Sequence, residues 1–289
     1  MNKVKRNSRK RTMRSLYGDI VGIIFLAIIG VFMALPLVYA ISSAFKPLDE
    51  LFLFPPTFFV KKPTLENFSS FGLMMSNSLV PFSRYLFNSV FITALGTAGH
   101  VIIATMAAYV LSKRNFPGKT LFFGLVVTSL MFAPQVTSIP NYLLMSGFGW
   151  IDSPLALIVP AWAYSLGLFL MKQFIDQMIP ISIVEAAQCD GAGELRIVFS
   201  IVMPMVKPAW LTLIVFSVQN LWNNSGSMFL LSESKKTLPY ALSQITQGGI
   251  ARAGVGAAVA LIMMAVPIGT FILTQSNIVE TMSTSGMKD

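Results

Sequence analysis

The chain is 289 residues long, 54% hydrophobic and only 11% charged, with a formal net charge of +9. Soluble domains carry about 25% charged residues, so this composition excludes a water-soluble globular protein and implies an all-α polytopic membrane protein. Nucleic-acid binding is not the reading of the positive charge: seven of the 21 basic residues (Lys3, Lys5, Arg6, Arg9, Lys10, Arg11 and Arg14) crowd ahead of the first apolar run, where they read as a topology signal facing anionic lipid.

A bilayer-spanning helix needs about 20 predominantly apolar residues. Uncharged stretches of about that length or more occur six times, at 20–45, 85–112, 120–151, 153–171, 208–232 and 253–279, which predicts six transmembrane helices within a membrane domain at 20–279. The first stretch is too long for the apolar core of a signal peptide and reads as an uncleaved anchor. Residues 1–19 then form a basic cytoplasmic tail and 280–289 a second cytoplasmic tail. With both termini inside, the inner segments hold fourteen Lys and Arg against seven outside, in agreement with the positive-inside rule. The longest external loop, 46–83, is broken by prolines and carries Phe52, Phe54, Phe58 and Phe59, as a segment resting on the membrane face or on a partner chain does. Residues 237–251 are too polar to span and predict a small external helix or cap.

Inside the spans, small residues recur every four positions (Ala94 and Ala98, Ala104 and Ala108, Gly254 and Ala258, Gly256 and Ala260), as close helix packing in lipid requires. Pro36, Pro134, Pro140, Pro160 and Pro267 mark expected kinks or unwound turns. His100, the only histidine, lies mid-span and reads as an imidazole bonded to a neighbouring helix rather than as part of a proton path. All six stretches lack Asp, Glu, Lys and Arg, whereas ion-coupled carriers place titratable groups there; the energy for any transport is expected from another subunit, and the solute is expected to carry little charge. With one Cys, Cys189, and one His, no metal site or internal disulfide is expected, and no catalytic constellation is present. Gly118-Lys119-Thr120 imitates the end of a phosphate-binding loop, but that motif needs Gly where Lys113 stands, so the chain is not expected to bind ATP. In the fifth span Gln219, Asn220, Trp222, Asn223 and Asn224 combine amides with an aromatic ring. This suits a sugar's hydroxyls and ring face, and equally suits the outer membrane interface, where Trp is common.

The most informative segment is 177–206. Pro180 is pre-set for a helix start, and Ser182 with Glu185 has capping-box spacing. Asp190-Gly191 is a turn dipeptide, and Leu195, Val198, Ile201 and Val202 follow at helical spacing until Pro204 interrupts them. A helix-turn-helix knob with an apolar stripe results, and an exposed stripe implies a protein partner. Each residue also has a local role: Glu185 caps its helix, and Ala186 and Ala187 favour helix anywhere.

Glu185-Ala186-Ala187, Asp190-Gly191-Ala192 and Pro204 together resemble the cytoplasmic coupling loop of ABC importer permeases. The likeness extends to the smaller permease subunit of maltose-type carbohydrate importers through Ser43-Ala44-Phe45-Lys46, Pro55-Pro56, Thr64-Leu65-Glu66-Asn67-Phe68, Asn88-Ser89, Ala107-Ala108-Tyr109, Leu111-Ser112-Lys113-Arg114, Phe116-Pro117-Gly118-Lys119, Trp222-Asn223 and Thr237-Leu238-Pro239. This resemblance implies a type I ABC importer permease fold in the bacterial cell membrane. It also implies a second, non-identical permease, two ATPase subunits that bind ATP and Mg, and an extracytoplasmic sugar-binding protein. This chain itself would be non-catalytic and free of cofactors. Glu185, Ala186, Ala187, Asp190, Gly191 and Pro204 would engage the ATPase, and Gln219, Asn220, Trp222 and Asn223 would line a path for a neutral carbohydrate. An importer for an amino acid, or an ion-coupled carrier, is the alternative. The final residues 284–289 depart from the maltose pattern.

Overall fold

A computed structural model describes residues 16–249 and 252–285. Among the described residues fourteen α-helices run in the order α1 (Leu16–Ala44), α2 (Leu48–Leu51), α3 (Glu66–Ser76), α4 (Phe82–Lys113), α5 (Lys119–Ser129), α6 (Pro134–Gly147), α7 (Leu155–Trp162), α8 (Ser165–Met178), α9 (Ile181–Cys189), α10 (Glu194–Ile197), α11 (Met203–Met205), α12 (Lys207–Trp222), α13 (Leu238–Thr246) and α14 (Ala253–Ser285). The basic residues of the N-terminal tail and the last four residues lie outside the described residues.

Four segments are long and apolar enough to cross a bilayer: 20–44, α4, α7 with α8, and 253–275. Two bent pairs, α5 with α6 and the 194–205 helix with α12, bring the candidate crossings to as many as six where each pair forms one span. The expected multi-pass helical architecture is therefore present, with corrections to individual spans. The third, expected as one helix over 120–151, is broken between Ser129 and Pro134 by a bend of 113°. Its cause is local: Pro134 opens α6 and drives Ala133 to extended backbone (φ −68°, ψ 143°), which ends α5 upstream. The fifth, expected to reach residue 232, ends as a helix at Trp222. Residues 223–237 instead form a loop held by side chains, with one 3-10 turn at Glu233–Lys235. Pro36 and Pro267 stay inside continuous helices.

The centre of the fold is α4, which packs against α7, α8 and α12. Its small residues permit the close approach, since a Cβ on Gly99 would stand 2.0 Å from the Trp162 indole nitrogen, and one on Gly167 of α8 2.0 Å from His100 Nε2. Ala104 and Ala108 are buried, as the four-residue spacing implied, whereas Ala94 and Ala98 face an open groove. His100 is buried, its Nδ1 lies 3.4 Å from the Trp162 carbonyl oxygen, and its ring meets Tyr164 edge-on; it is a helix-packing residue as expected. The polar residues 237–249 include the expected small helix, α13, whose Leu238, Leu242 and Ile245 pack with Phe71, Tyr85 and Trp222.

Candidate functional site

α4 also serves as a ruler between two ends of the molecule. Near its start, Arg84 Nε and Asn88 Nδ2 donate to the Ser234 carbonyl, Asn88 also to that of Lys236, and Ser89 Oγ accepts the Leu238 N–H. Asp152 completes this end by accepting the backbone N–H groups of Leu231 and Ser232, the Ser232 hydroxyl and the Lys235 ammonium, the last at 2.8 Å. These bonds hold the 223–237 loop, in which a single 3-10 turn at Glu233–Lys235 is the helical element. Near the other end of α4, Glu194 accepts from the Tyr109 hydroxyl (2.9 Å), the Gln188 amide (3.1 Å) and the Arg114 guanidinium. Ser112 and Lys172 both donate to Asp176 there.

The knob at 177–206 belongs to that second end. α9 starts after Pro180 as expected, but its N-terminus has no side-chain cap: Ser182 is the second helical residue, so the capping box is not formed. Its C-terminus closes with the Gly191 N–H on the Gln188 carbonyl (3.0 Å) and the Ala192 N–H on the Ala187 carbonyl (2.9 Å). This pattern places Gly191 at φ +79°, the left-handed region that Gly enters without steric cost. Glu185, Ala186, Asp190 and Gly191 are exposed, with Ile181, Ser182 and Cys189 on the same side, while Ala187 faces inward with Val184.

After the turn the chain runs through α10, a π turn at Val198–Val202 and α11, then bends by 86° into α12. Pro204 cannot donate to the Ser200 carbonyl and its ring crowds it, and the wider turn before it relieves both. One consequence corrects the expected apolar stripe. Ile197, Val198 and Val202 are buried in a core shared with α4, α8 and α12, whereas Leu195 is 61% exposed. Most of the stripe therefore serves this chain's own packing. The exposed apolar groups are Ile181, Leu195 and Phe199, and Pro204 is also exposed.

The four amide residues at and beyond the end of α12, Gln219, Asn220, Asn223 and Asn224, divide between faces. Asn220 joins Asn224, Ser217, Asn141 of α6, Tyr164 and Phe229 around a cavity of about 220 Å³ that holds no charged side chain. Gln219 and Asn223 are exposed on another side, bonded to each other through the Asn223 amide and the Gln219 carbonyl. Trp222 departs from the expected amide and aromatic grouping: it is 2% exposed, donates its indole N–H to the Met263 carbonyl at 3.0 Å, and flanks a separate apolar cavity of about 530 Å³ between α4, α12 and α14. Asn141 and Tyr164 belong to no motif in the sequence, and only the bend before Pro134 and the α7–α8 junction bring them to Asn220. Among the described residues no group of three or more His, Cys, Asp or Glu is placed to hold a metal ion.

Comparison with known proteins agrees with this architecture. The family described as "Binding-protein-dependent transport system inner membrane component" matches residues 13–281. Protein LplC of Bacillus subtilis is 31% identical over 79% of this chain and 75% of its own length. The polygalacturonan/rhamnogalacturonan transport system permease protein YtcP of the same organism is 30% identical over 80% of this chain and 81% of its own. In fold, the chain is similar to one chain of the crystal structure of a bacterial ABC transporter involved in import of the acidic polysaccharide alginate, with a TM-score of 0.73 and 22% identity over 92% of this chain and 99% of that one. A buried ruler helix, a bent knob at one end and a small uncharged cavity built on broken spans thus sit within a shared sequence pattern and fold, and the chain belongs to the binding-protein-dependent transport system inner membrane component family.

Proposed function

We propose that the chain is one of two non-identical permease subunits of an ATP-driven importer for a neutral carbohydrate, an oligosaccharide delivered by an extracytoplasmic binding protein. The observation that carries this reading is the arrangement along α4. The Glu185–Gly191 knob is exposed at one end and tied through Glu194 to Tyr109 and Arg114, and the amide-lined cavity lies towards the other.

The cavity's chemistry supports the substrate class. Asn141, Asn220 and Asn224 donate and accept at once, Ser217 and Tyr164 add hydroxyls, and no ionised group is present to demand a charged solute. The polysaccharides named for YtcP and for the alginate transporter are acidic, so neutrality rests on this chain's residues alone. At about 220 Å³ the cavity is smaller than the roughly 300–1,000 Å³ of complete ligand sites, which supports a path finished by a second permease.

In this reading the N- and C-termini and the knob are cytoplasmic. Two ATPase subunits, carrying ATP and Mg, would grip Glu185, Ala186, Asp190, Gly191 and Pro204, with Ala187 packing behind them. Closure of the ATPases would rock the bundles so that the path faces outward, then inward. Shifting such an equilibrium from 1:99 to 99:1 takes about 5.5 kcal/mol of differential binding.

The test is reconstitution of the complex purified through this chain, with a ligand screen on the binding protein that accompanies it. Uptake of a neutral oligosaccharide that requires both ATP and the binding protein is the expected result. Uptake by this chain without an ATPase, or an amino acid as the ligand, would overturn the reading.

A further inference from the structure

We propose that residues 46–62 form a membrane anchor whose exposed phenylalanines seat in the outer interfacial layer of the bilayer. The segment leaves α1 directly and folds back along it. Phe58 packs 5.7 Å from the Tyr39 ring, and Lys46 Nζ stands 5.1 Å over the same ring. Tyr39 lies five residues before the end of α1, about 7.5 Å below it at 1.5 Å per residue. The loop therefore hangs at the depth where an apolar helix, exposed along most of its length, meets the headgroups.

Its construction differs from that of a water-facing loop: Lys46, Glu50 and Asn67 are turned inward, while Asp49, Lys61 and Lys62 stay at the surface. Glu50, 8% exposed, accepts the N–H groups of Lys61 (2.8 Å) and Lys62 (3.2 Å) and the Thr57 hydroxyl (3.2 Å). Lys46, also buried, donates to the Thr57 carbonyl. The Asn67 amide clamps both ends of the turn by donating to the carbonyls of Ala44 (2.9 Å) and Lys46 (2.8 Å). The apolar groups face outward: Phe54 is 93% exposed and Phe59 70%, with Leu48, Phe52 and Leu53 beside them.

Such a surface suits lipid. Hydrogen-bonded, inward-turned polar side chains are what a low-dielectric environment demands, and aromatic rings flanked by lysines are the composition of interfacial segments. The exposed Lys61 and Lys62 add charge complementary to anionic headgroups.

The experiment uses the purified full transporter in anionic lipid nanodiscs, in a Cys189→Ser background, with a nitroxide at Phe54→Cys or Phe59→Cys. Collisions with oxygen should exceed those with a water-soluble nickel chelate at both sites, as at Phe32→Cys in α1 and unlike Ser69→Cys in α3. Lys61→Glu with Lys62→Glu should then reduce that oxygen preference in anionic but not in zwitterionic lipid. Dominance of the nickel chelate, meaning a loop in water, would overturn the proposal. Exclusion of both reagents, meaning a loop covered by a partner protein, would overturn it as well.

Discussion

Substitution of Gly191 offers a graded test of whether the knob transmits force through its shape. A Cβ at this position would meet nothing within 4 Å, so within this chain the cost of a side chain is conformational rather than steric. At φ +79° an L-residue costs about 1–2 kcal/mol; Asn tolerates the region several-fold better, and a β-branched residue worse. A penalty of that size changes the population of the closed turn by a factor of about 5–30. A β-branched residue costs more, a large share of the roughly 5.5 kcal/mol that a 1:99 to 99:1 shift would take. Gly191→Asn is therefore expected to stay near wild type in ATP-dependent uptake by proteoliposomes, Gly191→Ala to fall several-fold, and Gly191→Val to abolish uptake while the protein still inserts. Equal loss in all three would refute the conformational account and make Gly191 a contact point that tolerates no side chain. Normal uptake by Gly191→Val would refute transmission through the turn itself.

Three further outcomes follow from the geometry. Trp222→Ala removes a buried ring and strands the Met263 carbonyl, which costs about 3–5 kcal/mol and should lower the yield and thermal midpoint of the detergent-solubilised complex; Asn220→Leu should leave both unchanged yet raise the KM for uptake. Glu194→Gln touches a pair whose side chains are 31% and 57% exposed, worth about 0.2–1 kcal/mol, so the fold should survive while uptake per ATP hydrolysed drops, and Arg114→Glu combined with Glu194→Arg should restore it. The hydrogen bond and charge of Lys235, with the Ser232 hydroxyl, hold the Asp152 carboxyl well below the usual carboxylate range. A depressed folded-state pKa gives stability that is present above about pH 4 and lost as pH falls through the folded value. Hydrogen exchange at the Leu231 and Ser232 amides should accordingly stay protected from pH 7 to pH 4, and Asp152→Ala should lose that protection throughout.

The readable parts of the chain were those governed by neighbouring residues. Asp190-Gly191 announces its turn because the left-handed position is needed there whatever surrounds it, and long uncharged runs announce spans because lipid accepts little else. Features decided by distant partners were not readable. Ser182 has capping spacing, but the nearby Pro180 is the stronger start signal and sets the helix start two residues too early for that cap to form. Leu195 fits a regular apolar stripe, but packing of this segment on α4, α8 and α12 buries Ile197 and leaves Leu195 exposed. Trp222 stands among amides in sequence, yet the α14 backbone supplies the acceptor its indole needs, and the ring turns away from them. The broken third span was half legible: Pro134 marked a break, but a proline alone does not distinguish a kink from a 113° reversal.

The brevity of α12 bears on how little has to move. Sixteen residues of helix extend about 24 Å, against a hydrocarbon layer of about 30 Å. Beyond Trp222 the chain continues as loop with its polar groups satisfied by Asp152 and Thr237, a structure that tolerates water as helix-free backbone in lipid does not. In the proposed transport reading, solvent would reach down beside Asn224 before any helix shifts, and a rotation of this short helical portion would be enough to open the path.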